Sequence, residues 1–246
     1  MSVGPAEAAV RNRKGAFRLG LGAWLGLFAG LIAIVLPSVA IFAAAYNPGG
    51  FFSFAPSLVQ TSGALVLGGA ILFVLSLFLY RWGFSALRRV NPDFYVASAL
   101  CMLGSVGFVL ILVAAAVVTG SASSLLTCIH GQPSHALSCL EANQPLGAYT
   151  ALVGFVLAWL GGFGIVLGLW LAGSHYREPA LTLGSGVYLF FLFLILAPFV
   201  ELAFALPDGQ FLLVIVPVMS VAAPLFVLLG VLPKIRAEPG PTGAAA

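Results

Sequence analysis

Charge is scarce in this chain, and its scarcity excludes most of what 246 residues could otherwise be. Lys, Arg, Asp and Glu make up 7% of the sequence, where a soluble domain carries about a quarter. So few charges cannot cover a water-facing surface, and 61% hydrophobic residues leave lipid as the solvent. Histidine and cysteine occur three times each, too few for a histidine-rich centre or a dense disulfide framework. There is no P-loop, no His-Glu-x-x-His, no Cys-x-x-Cys and no pair of carboxylates inside an apolar run. These absences argue against an enzyme, a cofactor and a bound metal. The net charge of +3 does not point to nucleic acid, because the basic residues are spread over loops instead of forming one face.

What the chain does have is six apolar segments, at about 17–46, 62–80, 94–119, 147–173, 180–205 and 211–232, each near or beyond the roughly 20 residues that cross a bilayer. All ten Lys and Arg fall on one side of this pattern. Arg11, Arg13, Lys14 and Arg18 open segment one, Arg81, Arg88 and Arg89 separate two from three, Arg177 separates four from five, and Lys234 and Arg236 follow six. Short basic loops stay cytoplasmic. The expectation is therefore an all-α, polytopic protein of the cell membrane: a six-transmembrane-helix bundle with N-terminus and C-terminus both cytoplasmic and the lipid bilayer as its first partner. Residues 17–232 form its one domain, flanked by a mobile tail at 1–16 and a disordered one at 233–246, both rich in Ala, Gly, Pro and charge and without an apolar face to bury. Segment one has the basic start and apolar stretch of a secretory signal. Its apolar stretch, Leu19 to Leu36, exceeds the roughly 7 to 15 residues of such signals, so an uncleaved anchor is expected, with a kink at Pro37.

Packing is written in glycine. Gly22, Gly26 and Gly30 recur every four residues in segment one, and Gly164 and Gly168 repeat the spacing in segment four. Small residues at this interval share a helix face and let a second backbone approach. Packing within the chain is the favoured use, and a homo-oligomer or another membrane protein is the alternative partner. Leu67-Gly68-Gly69 and Leu160-Gly161-Gly162 hint at a duplicated helical hairpin.

The outer loop Cys128-Ile-His130-Gly-Gln-Pro-Ser-His135-Ala-Leu-Ser-Cys139 lies on the side where disulfides persist. A Cys128–Cys139 disulfide is the favoured reading. Zinc held by both thiolates with His130 and His135 is the alternative, with ligands crowded more closely than in the usual paired spacings. Cys101, inside segment three, reads as a small packing residue.

Glu201 is the one acid inside an apolar segment, about a turn from its outer end, and such a residue is a functional candidate by default. It follows Pro198, and Thr182, Ser185 and Tyr188 do not form a continuous polar stripe with it. Segment six holds Pro217 and Pro224 with Ser220 between them, a pattern of plain kinks or of a broken helix at a site.

The Gly-rich first helix, Phe78-Leu79-Tyr80-Arg81-x-Gly83-Phe84, and Gly168-Leu-Trp170-Leu-x-Gly173-Ser174-x-Tyr176-x-Glu178-Pro179 together resemble a family of uncharacterised archaeal multi-pass membrane proteins. The resemblance implies a polytopic helical fold and carries no activity. The function expected from the residues is a non-enzymatic subunit or scaffold of a membrane assembly. The alternative is a small-solute transporter or channel built on Glu201 and the proline-broken helices.

Overall fold

The structure is a computed structural model that describes residues 5–36, 38–39, 48–119, 145–204 and 210–236. Six α-helices occur among these residues, with no strand: α1 Pro5–Gly30, running into a π-helical turn at Leu31–Val35, α2 Pro48–Leu87, α3 Phe94–Thr119, α4 Pro145–Tyr176, α5 Pro179–Phe204 and α6 Gln210–Arg236. Five helical stretches are long and apolar enough to cross a membrane: Glu7–Val35, Leu67–Leu87, Phe94–Ala114, Pro145–Tyr176 and Ile215–Arg236. A shorter apolar stretch, Pro179–Leu194, lies in α5. Bulky apolar side chains such as Trp24, Phe28, Val109, Phe193 and Leu229 point outward. A surface of this kind belongs in lipid, and the protein is membrane-embedded.

The helices pack in chain order. Each lies against its sequence neighbours, and α6 returns to α1, closing a ring. α1 shows how sequence places the faces. Phe17, Leu21, Trp24 and Phe28 form its outward stripe, while Ala16, Leu19, Ala23 and Leu27 are buried on the opposite side, the division that a period of 3.6 produces.

Close approach between helices rests on missing side chains. A Cβ on Gly104 of α3 would stand 2.6 Å from the Cα of Gly161 in α4, and one on Gly154 would stand 2.8 Å from the Gly107 carbonyl oxygen. On the α1–α2 seam, Gly15 lies under the Leu87 side chain and Gly83 under that of Leu19, each with only 2.8 Å left for a Cβ. Lipid offers no hydrophobic drive for helix association, so close van der Waals contact of this kind is the main cohesive term. Hydrogen bonds supplement it: Ser76 Oγ donates to the Gly22 carbonyl at 2.7 Å, Ser185 Oγ to that of Val166 at 2.8 Å, and Trp159 Nε1 to that of Leu192 at 3.3 Å.

The basic end is tied by polar contacts. Lys234 of α6 pairs with Glu178 at 2.8 Å, Tyr176 donates to the Asn12 carbonyl at 2.9 Å, and Arg18 reaches the Trp82 carbonyl at 3.2 Å. α4 passes to α5 in a tight turn in which Arg177 has φ 54° and Glu178 N–H bonds back to the Gly173 carbonyl at 2.9 Å.

Several segment boundaries differ from expectation: α2 continues to Leu87 past the expected end at 80, and α6 continues to Arg236 into the tail expected as disordered. α1 starts at Pro5, so most of the tail expected at 1–16 is helical. Proline suits a first helical position, and Glu7 and Arg11 form an i,i+4 ion pair there. α2 spans 40 residues and takes in the stretch 48–61 expected as an outer loop: Pro48 stands at the first helical position, which proline suits, and the residues after Gly50 are largely apolar. At about 1.5 Å per residue, α2 is roughly 60 Å long, twice the hydrocarbon core of about 30 Å.

Candidate functional site

The half of the ring nearest the basic end is filled. Tyr80, Phe84, Phe94, Leu87, Leu169 and Val231 are almost completely buried there, with Phe84 stacked on both Tyr80 and Phe94 at 6.1 Å between centroids. Gly168 has no Cβ because the Phe84 ring occupies that place.

Beyond this plug lies a half-open cavity of about 260 Å³, walled by α1 with its π turn, α2, α3, α5 and α6. Its wall on α1 runs from Gly26 to Ile34, roughly 12 to 24 Å along the axis from Arg18. The cavity exists because the residues facing it are small: Gly26, Ala29, Gly30 and Ala33 on one side, Gly69 and Ala70 on another. Phe73 and Phe108, 4.9 Å apart between centroids, close the far wall with Phe191.

Two helix irregularities meet at this cavity. Leu31–Val35 is π-helical, a form that often marks functional positions. Pro37 follows it in sequence and has no N–H for the Ala33 carbonyl, a local reason for the helix to widen just before it. Across the cavity, Pro224 likewise has no N–H for the carbonyl of Ser220, four residues earlier. Ser220 Oγ donates to the Pro217 carbonyl at 2.8 Å. The Ser220 carbonyl oxygen faces α1, 2.9 Å from where a Cβ on Gly30 would be.

Among the described residues, the polar groups at the cavity are hydroxyls and carbonyls, and no lining residue is charged. Tyr188 Oη meets Tyr80 Oη at 3.4 Å. It also lies 3.4 Å, and Ser76 Oγ 3.2 Å, from a Cβ on Gly26. Such a site can bind and orient a molecule. It offers no nucleophile with a base and no acid–base pair.

The residues singled out in sequence are distributed as follows. Gly22 faces Ser76 and Tyr80 of α2, Gly26 faces Ser76, Tyr188 and Pro224, and Gly30 faces Ser220. Gly26 and Gly30 are therefore at once packing residues and cavity wall. Gly164 lies against the backbone of Cys101 and Ala97 in α3, and Cys101 is buried with a free thiol. Cys128, His130, His135 and Cys139 lie outside the described residues. Glu201 belongs to α5, and its side chain is likewise outside the described part. Its place in the helix is thirteen residues beyond Tyr188, about 20 Å along the axis. Among the described residues no group of three or more metal-ligating side chains comes together. The expected hairpin duplication finds no parallel in packing: Gly68 has nothing within 4 Å while Gly161 meets Gly104, and Gly69 meets Ala33 of α1 while Gly162 meets Leu192 of α5.

Sequence reasoning missed Tyr188 and the Phe73–Phe108 pair. Tyr188 carries a usable signal, since Leu181, Ser185, Tyr188 and Leu192 follow helical spacing along one buried face of α5. The phenylalanines carry none, being two among 20. Compared with protein-family models, curated proteins and solved structures, the chain has no match.

Proposed function

We propose that this chain crosses the cell membrane six times with both termini cytoplasmic, and acts without catalysis by holding a small lipid-soluble molecule between its helices. The observation that carries the reading is the cavity of about 260 Å³ set beyond a densely filled half of the ring. An apolar cavity of about 150 Å³ accepts a benzene ring, so this one has room for a substituted ring or a short branched chain. The six crossings draw support from α5, whose 26 residues are about 39 Å long and lie between two helices of the ring. The orientation draws support from the position of every Lys and Arg at or near one end.

The geometry favours this reading over the other two. An assembly subunit was argued from the glycine faces, and in the structure Gly22, Gly26, Gly30, Gly164 and Gly168 all meet helices of the same chain. An ion-coupled transporter needs charged groups along a path, and the described residues of the cavity wall include no acid or base. The test is retention. Protein purified into nanodiscs is extracted, and its small lipophilic compounds are compared with those from Ala70→Phe, which fills the cavity from α2. A compound held in stoichiometric amount by the wild type and lost in the variant is the expected result. Equal content in both sinks the reading.

A further inference from the structure

The cavity has a polar side with a definite pattern of donors and acceptors. Ser220 supplies an acceptor: its carbonyl lacks the N–H that residue 224 would donate were it not proline, and Gly30 opposite has no side chain to cover it. Tyr188 supplies a donor. Tyr80 and Tyr188 share one contact of 3.4 Å between their hydroxyl oxygens, which uses one of their two protons. Tyr188 is the member of the pair that lines the cavity. Both groups border neighbouring turns of one face of α1: Tyr188 Oη is 3.4 Å from a Cβ at Gly26, and the Ser220 carbonyl oxygen 2.9 Å from a Cβ at Gly30, positions one helical turn apart.

We propose that the cavity is a site for an apolar molecule bearing one hydroxyl group, whose O–H donates to the Ser220 carbonyl and whose oxygen accepts from the Tyr188 hydroxyl. The proposal rests on the binding function argued above and narrows it to alcohols and phenols. A ketone or ester could accept from Tyr188 but would bring no proton to Ser220. A hydrocarbon would leave the Ser220 carbonyl and the second hydrogen-bonding position of the Tyr188 hydroxyl unused, which costs more in a low-dielectric setting. The rest of the wall, with its alanines and phenylalanines, takes the hydrocarbon body.

The experiment uses two photoactivatable probes on the full-length protein in nanodiscs: 3-azioctanol and its hydroxyl-free counterpart 3-azioctane. Labelled positions are read by peptide mass spectrometry, with the lipid-facing Val109 as internal reference for partitioning. The alcohol is expected to label the cavity wall about fivefold more than the hydrocarbon, the effect of one net buried hydrogen bond. Tyr188→Phe removes the donor and abolishes most of that preference. Pro224→Ala restores an N–H at position 224, occupies the Ser220 carbonyl, and lowers labelling by the alcohol without lowering labelling by the hydrocarbon. Equal labelling of the wall by both probes, unchanged in both variants, overturns hydroxyl recognition and leaves the binding reading standing. Labelling by either probe confined to lipid-facing positions overturns both.

Discussion

At the scale of single residues, the glycines differ sharply in what a methyl group would meet, and the sequence alone cannot rank them. Gly22, Gly26 and Gly30 declare themselves by their spacing in one helix. Gly104 and Gly161 do not, because their meaning is a contact between two helices, and nothing local says that position 104 faces position 161. In the structure a Cβ on Gly104 falls 2.6 Å from the Gly161 Cα, backbone that cannot swing aside, whereas Gly186 has nothing within 4 Å. Gly104→Ala should therefore destabilise by about 1 to 3 kcal/mol through overpacking. Gly186→Ala should be neutral or stabilising by up to about 1 kcal/mol, since alanine loses less backbone freedom in a helix. Thermal unfolding in one detergent, followed by circular dichroism, separates the two; equal melting temperatures would contradict the packing of α3 on α4.

At the scale of elements, the apolar stretches predict where helices are better than where they stop. α3 was legible at both ends. The Asn91-Pro92-Asp93 turn, in which Asn91 Oδ1 accepts from Asp93 N–H at 3.0 Å, sets its start at Phe94, and the apolar run sets its end. The start of α1 was not legible, because residues 5–16 lack an apolar stripe and owe their order to a partner helix that sequence does not reveal. That partner is α4. Asn12 accepts from the Tyr176 hydroxyl through its carbonyl at 2.9 Å and meets His175 Nε2 through Oδ1 at 3.2 Å. Tyr176→Phe removes one of these ties, about 1 kcal/mol, so the first turns of α1 should open about fivefold more often. Hydrogen exchange should quicken by that factor over Glu7–Lys14 and stay unchanged over Leu19–Gly30. A uniform change along α1, or none, would show that the tie does not hold this segment.

At the scale of the whole molecule, the membrane class was legible from composition, while the closed ring and the cavity inside it were not. Hydropathy reports how many stretches fit a bilayer but is blind to their order around a bundle. The cavity, moreover, depends on small residues drawn from separate helices. Ring closure is a claim about α1 and α6, the first and last helices, and it has a direct chemical test. A Cβ on Gly20 would lie 3.5 Å from Val231 Cγ1 and 3.2 Å from Ile235 Cδ1, which leaves the Val231 Cβ about 4 to 5 Å away, within a small shift of the roughly 3.5 to 4.5 Å between the Cβ atoms of a disulfide. In a chain with Cys101, Cys128 and Cys139 replaced by serine, Gly20→Cys with Val231→Cys should cross-link under mild oxidation to a species of monomer mass that runs faster on a denaturing gel. Gly20→Cys with Val218→Cys, a residue exposed on α6 and thirteen positions away, should not. If the 20/231 pair gave covalent dimers instead, α6 would be packing on the α1 of a second copy. The cavity would then be shared between two chains, and its ligand would be bound only by the dimer.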